Sequence, residues 1–190
     1  MCGSYSLIPG SKFYSRFSLS NKLPNLPSFS NSRPGQFLPI IYRDNKNIID
    51  VMRWGLIPQW AKNLDFGAKL FNARSETILE KPSFRGSFNS CRCLVPASGF
   101  FENRRLFQFK DKSLFSLAGL YSKWESPDGS FLPTFTIITT FPNSLIKPYH
   151  DRMPVILDKS SEDLWLNPTS SSKDLFSLFN PNSDEKLEIG

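Results

Sequence analysis

The stretch Cys91-Arg92-Cys93-Leu94-Val95-Pro96-Ala97-Ser98-Gly99-Phe100-Phe101-Glu102 opens the part of the chain on which the fold class turns. Cys91–Val95 is a short apolar run that reads as a strand, and Phe100–Phe109 reads as a second one broken at Asn103-Arg104-Arg105. Leu114–Tyr121, Thr134–Thr140 and Pro154–Leu157 continue the series. Upstream, Phe37–Tyr42 and Ile48–Trp54 flank the turn-like Arg43–Asn47 and read as a hairpin. Sheet therefore dominates the middle of the chain. Helical patterning is confined to short segments at Lys12–Phe17, Ser75–Glu80, Ser160–Leu166 and Ser172–Phe179. In the third, Ser160 or Ser161 serves as the cap, and Glu162 and Asp163 suit the positive helix end. The predicted class is α+β, a mainly antiparallel curled sheet with short peripheral helices.

The first 40 residues are rich in Ser, Asn and Pro, with Pro24, Pro27, Pro34 and Pro39 breaking regular structure, and are expected to wrap over a core built later. Trp54-Gly55-Leu56-Ile57-Pro58-Gln59-Trp60 is too short and too punctuated for a helix and reads as an aromatic loop. A length of 190 residues suits one domain. With 39% hydrophobic and 21% charged residues, wholesale disorder is excluded. No apolar run approaches about 18 residues, and the mean hydropathy is −0.29, so a soluble protein without a membrane partner is expected. Lys and Arg number 23 against 17 Asp and Glu, a net charge of +6 that favours an anionic partner such as nucleic acid.

Three cysteines cannot all pair within one chain, and Cys91 and Cys93 sit two apart on one strand, so reduced thiols in a cytoplasm are expected. The start lacks the charged and apolar regions of a secretory signal. A Cys-x-Cys pair with a single histidine is poor zinc-site material, and neither metal nor cofactor is expected.

Cys2 carries the most chemical information. A small second residue allows removal of Met1, which leaves a cysteine with both a free α-amine and a thiol. Such an aminothiol condenses with an aldehyde to a Schiff base and then closes to a five-membered thiazolidine. His150, the only histidine, has a side chain suited to proton transfer or to a structural role. Glu102 ends an apolar strand, where a carboxylate is either a solvated edge residue or a partly buried acid. Asn72 and Arg74 share one face of an extended segment; Arg74 reads as a phosphate clamp or a surface ion pair, Asn72 as a polar positioner or a cap. Trp54 and Trp60, on the aromatic loop, could stack unpaired bases or simply pack.

Six segments in this order resemble the SRAP family, the SOS response-associated peptidases that sense abasic sites. They are Met1-Cys2-Gly3, Asn31–Gln36, Trp54–Ala61, Phe71–Thr77, Cys91–Glu102 and His150–Pro154. The match is strongest over residues 1–157 of a single domain covering 1–190. The resemblance implies a compact fold around a barrel-like β-sheet, with a positive groove for single-stranded DNA containing abasic sites, and a monomer. It implies Cys2 as the nucleophile, Asn72 beside it, Glu102 as the acid/base and His150 as the group assisting sugar ring opening. It further implies Arg74 and Arg152 on phosphates and Trp60 near the DNA. The product would be a thiazolidine crosslink, and the same Cys2 would account for autoproteolysis of residues ahead of it, with lyase activity as a further option.

Three departures from the family pattern stand out. Ser4 replaces an arginine, Asn103 replaces a tryptophan after Glu102, and the C-terminus is atypically short, which leaves part of the groove missing or rebuilt. Two rival readings share the same residues. One is a thiol hydrolase using Cys2, His150 and Asn72 or Glu102 on a peptide or amide; the other is a non-catalytic single-strand-binding module.

Overall fold

The computed structural model describes residues 2–181 and 186–190. The chain begins with strand β1 (Tyr5–Leu7), helix α1 (Phe13–Arg16) and strand β2 (Phe29–Ser32), followed by the hairpin strands β3 (Phe37–Asp44) and β4 (Lys46–Trp54). Helix α2 (Asp65–Lys69), strand β5 (Asn72–Arg74), a single 3-10 turn over Ser75–Thr77 and helix α3 (Pro82–Ser90) come next. The second half holds β6 (Arg92–Ala97), β7 (Gly99–Glu102), β8 (Arg105–Phe109), β9 (Phe115–Glu125), β10 (Phe131–Thr140), β11 (Met153–Pro154) and β12 (Ile156–Leu157). It ends with helices α4 (Lys159–Leu166) and α5 (Ser172–Ser177) and strand β13 (Leu187–Ile189). Among the described residues no helix is long and apolar enough to cross a membrane.

Five strands close into a ring. β4 pairs antiparallel with β3, β3 with β6, β6 with β9 and β9 with β10, and β10 returns to β4 in parallel through Thr134 opposite Arg53 and Phe135 opposite Trp54. Closure removes the open edges that an apolar sheet would otherwise expose. β6 is buried along its whole length and β9 along its first six residues, which is why these strands read as continuous apolar runs rather than alternating ones. At Gly119 a Cβ would lie 2.9 Å from Cys93 Sγ and 3.1 Å from the Thr136 carbonyl, so the barrel wall needs glycine there for β6, β9 and β10 to approach. Outside the ring, β5 adds in parallel to β10, β11 pairs with β10 and β12 with β9.

A second, five-stranded antiparallel sheet runs in the order β13-β8-β7-β1-β2. The first 40 residues therefore supply two strands of a sheet, contrary to the expectation that they only wrap the core. Burial of Tyr5 and Leu7 on β1, and of Phe13 and Phe17 on and beside α1, provides the driving force. Pro39 also lies inside β3. β6 reaches only Ile41 and Tyr42 of that strand, so the missing N–H of Pro39 falls where one side of β3 is open. The hairpin turn is tighter than Arg43–Asn47, because Asn45 adopts φ 56° and lets Asp44 pair with Lys46.

Helix ends follow local chemistry. The cap of α4 is Asp158, whose carboxylate accepts from Ser161 N at 3.1 Å, rather than Ser160 or Ser161. Helix α3, not evident in the sequence reading, starts on Pro82 and buries Phe84 and Phe88 one turn apart. The helix expected over Ser75–Glu80 shortens to one 3-10 turn, since Lys81 must be extended ahead of Pro82. Buried Arg92 donates to Phe88 O at 2.8 Å, Trp165 O at 2.7 Å and Asn167 O at 2.7 Å. Its guanidinium thereby satisfies carbonyls at the ends of α3 and α4.

Candidate active site

The antiparallel pairing of β1 with β2 on one side and β7 on the other brings the C-terminal ends of both neighbours beside residues 2–4. Phe101 N donates to Ser4 O at 2.9 Å, and the Ser4 hydroxyl is hydrogen-bonded to Asn31 Oδ1. Cys2 is thus held in a groove of the sheet, fully buried, with its thiol donating to Ser4 O at 3.8 Å. Burial pushes the thiol pKa well up, and the charge of Glu102 pushes it in the same direction, so the sulfur is protonated at neutral pH.

Asn72 arrives from the barrel side. β5 lies on β10 with Asn72 opposite Ile137, and Asn72 Nδ2 donates to Cys2 O at 2.9 Å and Phe71 O at 2.8 Å. Two carbonyl partners identify that atom as the nitrogen. Asn72 Oδ1 is buried and has no partner among the described residues, which leaves an acceptor beside the Cys2 backbone ready for an N–H donor.

Glu102 ends β7 and is 4% exposed, with Oε1 buried and without a hydrogen-bond partner among the described residues. Burial, reinforced by the negative charge of Asp151, raises its pKa to about 7. At neutral pH both its acid and its base form are populated. His150 follows the turn after β10. Its Nδ1 accepts from Arg152 N at 2.9 Å and also lies 2.9 Å from Asp151 Oδ1. The neutral ring with its proton on Nε2 fits the first contact and the protonated ring fits the second, so either state has a partner.

The remaining predicted residues divide. Arg74 ends β5 with its side chain exposed and no ion pair among the described residues. Trp60 is 55% exposed, its ring edge-to-face with Phe66 at 5.2 Å. Its loop is pinned from below, because Ile57 N donates to Thr134 Oγ1 at 2.9 Å and Trp124 Nε1 donates to Ala61 O at 2.7 Å. Gly55, at φ 123° and packed against the Gly67 carbonyl, makes the bend that starts the loop.

Arg152 is not presented to solvent. Its guanidinium forms a two-pronged pair with Glu76, at 2.6 and 2.9 Å, and donates to Thr139 O at 2.6 Å, so a direct phosphate contact would require breaking that pair. Trp54 does not stack bases, a correction to the sequence reading. It is fully buried against Tyr5 and Phe135, with ring centroids at 5.3 and 6.1 Å. Its Nε1 donates to Phe71 O at 2.8 Å, the same carbonyl that Asn72 holds, so Trp54 braces the site from the core. Tyr5, whose buried hydroxyl has no partner among the described residues and whose pKa is raised by burial and then by Cys2, was missed because its strand is only three residues long.

A model of the SOS response associated peptidase (SRAP) family matches residues 1–190. This chain belongs to the SRAP family. It is 42% identical over 204 residues to the abasic site processing protein YoqW of Bacillus subtilis, covering 99% of this chain and 90% of that one. It is 31% identical to the abasic site processing protein HMCES of Xenopus tropicalis, over 72% of this chain and 50% of that one. A crystal structure of a protein from Bacteroides thetaiotaomicron is similar at a TM-score of 0.78 and 36% identity, covering 84% of this chain and 76% of that one. Another, from Bordetella bronchiseptica, shares the fold at a TM-score of 0.84 with 23% identity, covering 100% and 98%. The SRAP chain thus has the predicted α+β fold around a closed barrel, and the family match extends past Leu157 to the end of the sequence.

Proposed function

We propose that this SRAP chain captures abasic sites in single-stranded DNA as a thiazolidine joined to Cys2. The observation that carries the reading is the convergence at Cys2 of Asn72, bonded to its backbone, and Glu102, a buried acid with a pKa of about 7. The reading requires removal of Met1, which lies outside the described residues.

The chemistry follows from those groups. An abasic deoxyribose exists mainly as a closed hemiacetal, so a proton must leave O1′ and another reach O4′ to release the aldehyde. His150 is suited to this exchange, because each of its protonation states has a partner. The Cys2 amine then attacks C1′, and the carbinolamine loses one water to give the Schiff base. Asn72 Oδ1, unsatisfied among the described residues, is the acceptor that would orient the amine N–H. In the last step the thiol adds across C=N: a C–S bond forms and the sulfur proton passes to nitrogen. Glu102 can take that proton and return it, so the balance of the reaction is one water lost.

The raised thiol pKa favours this reading over a thiol hydrolase. A hydrolase of that type needs a thiolate as first nucleophile, whereas here burial opposes the thiolate and the amine attacks first. Intact-mass analysis of the protein with an abasic single-stranded oligonucleotide tests the proposal. The expected adduct is protein lacking Met1, plus oligonucleotide, minus one water. Non-covalent binding alone, or turnover of peptides in trans without an adduct, would overturn it. Autoproteolysis is a different step, since a residue ahead of Cys2 ties its nitrogen up as an amide. The thiol would attack the preceding carbonyl, the C–N bond would break with the sulfur proton passing through Glu102 to the freed amine, and water would release the thioester; lyase release of the crosslink would draw on Glu102 as well.

A further inference from the structure

The N-terminal segment is bordered by a hollow of about 480 Å³ that none of the groups above occupies, with Gly3 and Ser4 on its floor and Asn31 and Phe101 in its walls. Asn103, Arg33 and Arg104 complete its lining. The two arginines reach it from opposite sides, because Arg33 immediately follows β2 and Arg104 lies in the turn after β7, the two strands that flank β1. Among the described residues no acidic side chain lines the hollow. Neither guanidinium has an ion pair or hydrogen bond among the described residues, and both side chains are exposed. Ser4 turns its short side chain to Asn31, which leaves the space between the arginines open.

The turn adds a second observation. Glu102 pairs with Arg105, so Asn103 and Arg104 alone form the connection, at φ 47° and 63°. In such a two-residue turn the second position is one that glycine fills without strain. An arginine held there is a local cost that folding does not require.

We propose that Arg33 and Arg104 form a phosphate-binding subsite that clamps a backbone phosphodiester of the strand next to the nucleotide joined to Cys2. Two arginines lining one hollow without a carboxylate suit a phosphate, whose oxygens can accept from both planar donor sets. The contact is to backbone and carries no base preference. The inference rests on the crosslinking reading for its position relative to the lesion, but not for its affinity for single strands.

The test uses full-length Arg33→Gln, Arg104→Gln and the double variant, with binding to an intact single-stranded oligonucleotide measured by anisotropy across a salt series. Each single change is expected to weaken binding roughly three- to tenfold and to flatten the slope of log affinity against log salt by about 0.7. Arg33→Lys should keep the slope. Adduct formation with a small free aldehyde should remain at the wild-type rate in all of them. Arg104→Gly separates recognition from folding: relief of the turn should raise the unfolding temperature while binding weakens. Wild-type affinity and slope in the double variant, or wild-type binding by Arg104→Gly, would overturn the subsite. If the wild type forms no adduct with abasic DNA yet the arginine variants lose salt-dependent binding, the crosslinking reading fails and the subsite stands.

Discussion

The closed barrel and the five-stranded sheet beside it use the same kinds of residue for different ends. In the barrel, every ring strand is paired on both sides for part of its length, and both faces of its wall are buried: Leu117, Ile137 and Phe135 share one face and Leu94 lies on the other, all at most 1% exposed. In the open sheet, β1 is three residues long and its neighbours run past it. Their overhanging ends carry Glu102, Arg33 and Arg104. Asn72 and Trp54 belong to the barrel side, and His150 to the connection leaving β10. The reactive residue therefore lies on the seam, where a rigid wall supplies positioning and a short strand supplies an accessible chain end. The barrel should govern stability and the seam should govern rate, and each expectation below pushes on that division.

Cys2→Ala should produce the largest effect, complete loss of the covalent adduct, while costing only about 1 kcal/mol of stability for the small group removed. Intact mass and thermal unfolding read the two consequences separately. Retention of a full-strength adduct would place the nucleophile elsewhere and dissolve the seam. Next, His150→Ala should slow crosslinking to an abasic site far more than capture of a free aldehyde, which needs no ring opening. Glu102→Gln should slow closure on both substrates, each by about 10²–10⁴-fold. Single-turnover rates measure this, with yields converging on long incubation. Wild-type rates in both variants would make the two residues structural.

Trp54→Ala tests the division from the other side. Removing a fully buried indole should cost about 3–5 kcal/mol, read in denaturant unfolding. Because Trp54 and Asn72 share the Phe71 carbonyl, any loss of rate should track loss of fold and should be absent from Trp60→Ala, which removes an exposed ring. Equal destabilisation by both would mean that the loop, not the barrel, is what Trp54 supports.

That pair of tryptophans also marks what the sequence could convey. Six residues apart in one punctuated loop, they are equivalent to any local reading, and only the parallel pairing of β10 with β4 turns one inward. The barrel strands were legible because burial on both faces leaves uninterrupted apolar runs such as Cys93-Leu94-Val95 and Thr136-Ile137-Ile138. β1 and β2 were not, since three or four residues with serines show no period. Helix α3 was hidden by Gly86 and three serines, although Pro82 followed by Phe84 and Phe88 was a usable signal. Motif resemblance named candidate site residues but not their relations. Nothing local shows that Asn72 bonds Cys2, that Arg152 is consumed by Glu76, or that Glu102 lies too deep to ionise normally.

The ionisation of Glu102 gives a pH-dependent expectation. Its folded pKa of about 7 lies above the ordinary value of 4.5, so the protonated carboxyl is the form the fold accommodates. Its contribution is complete below about pH 4.5 and is lost as pH rises through about 7, a change on the order of 3 kcal/mol. Glu102→Gln, neutral at every pH, should match the wild type near pH 4.5 and exceed it in stability at pH 8. Parallel curves for the two proteins would show that Glu102 ionises as it does in the unfolded chain, which would remove the basis for its acid/base role.

The smallest effect separates two arginines that the sequence treats alike. Arg74 is exposed and unpaired among the described residues, whereas both terminal nitrogens of Arg152 are engaged by Glu76 and Thr139. Arg74→Ala should leave unfolding unchanged and flatten the salt dependence of single-strand binding by about 0.7, the increment for one phosphate contact. Arg152→Ala should do the reverse: the exposed Glu76 carboxylate can be taken up by water, but Thr139 O loses its buried donor, at about 1–2 kcal/mol, and the salt slope should not move. The double variant Glu76→Gln/Arg152→Gln keeps the shape without the charges and should recover much of that stability. A flattened slope in Arg152→Ala with no loss of stability would mean that DNA draws Arg152 away from Glu76, and the boundary between wall and seam would then pass through the Glu76 turn rather than beside it.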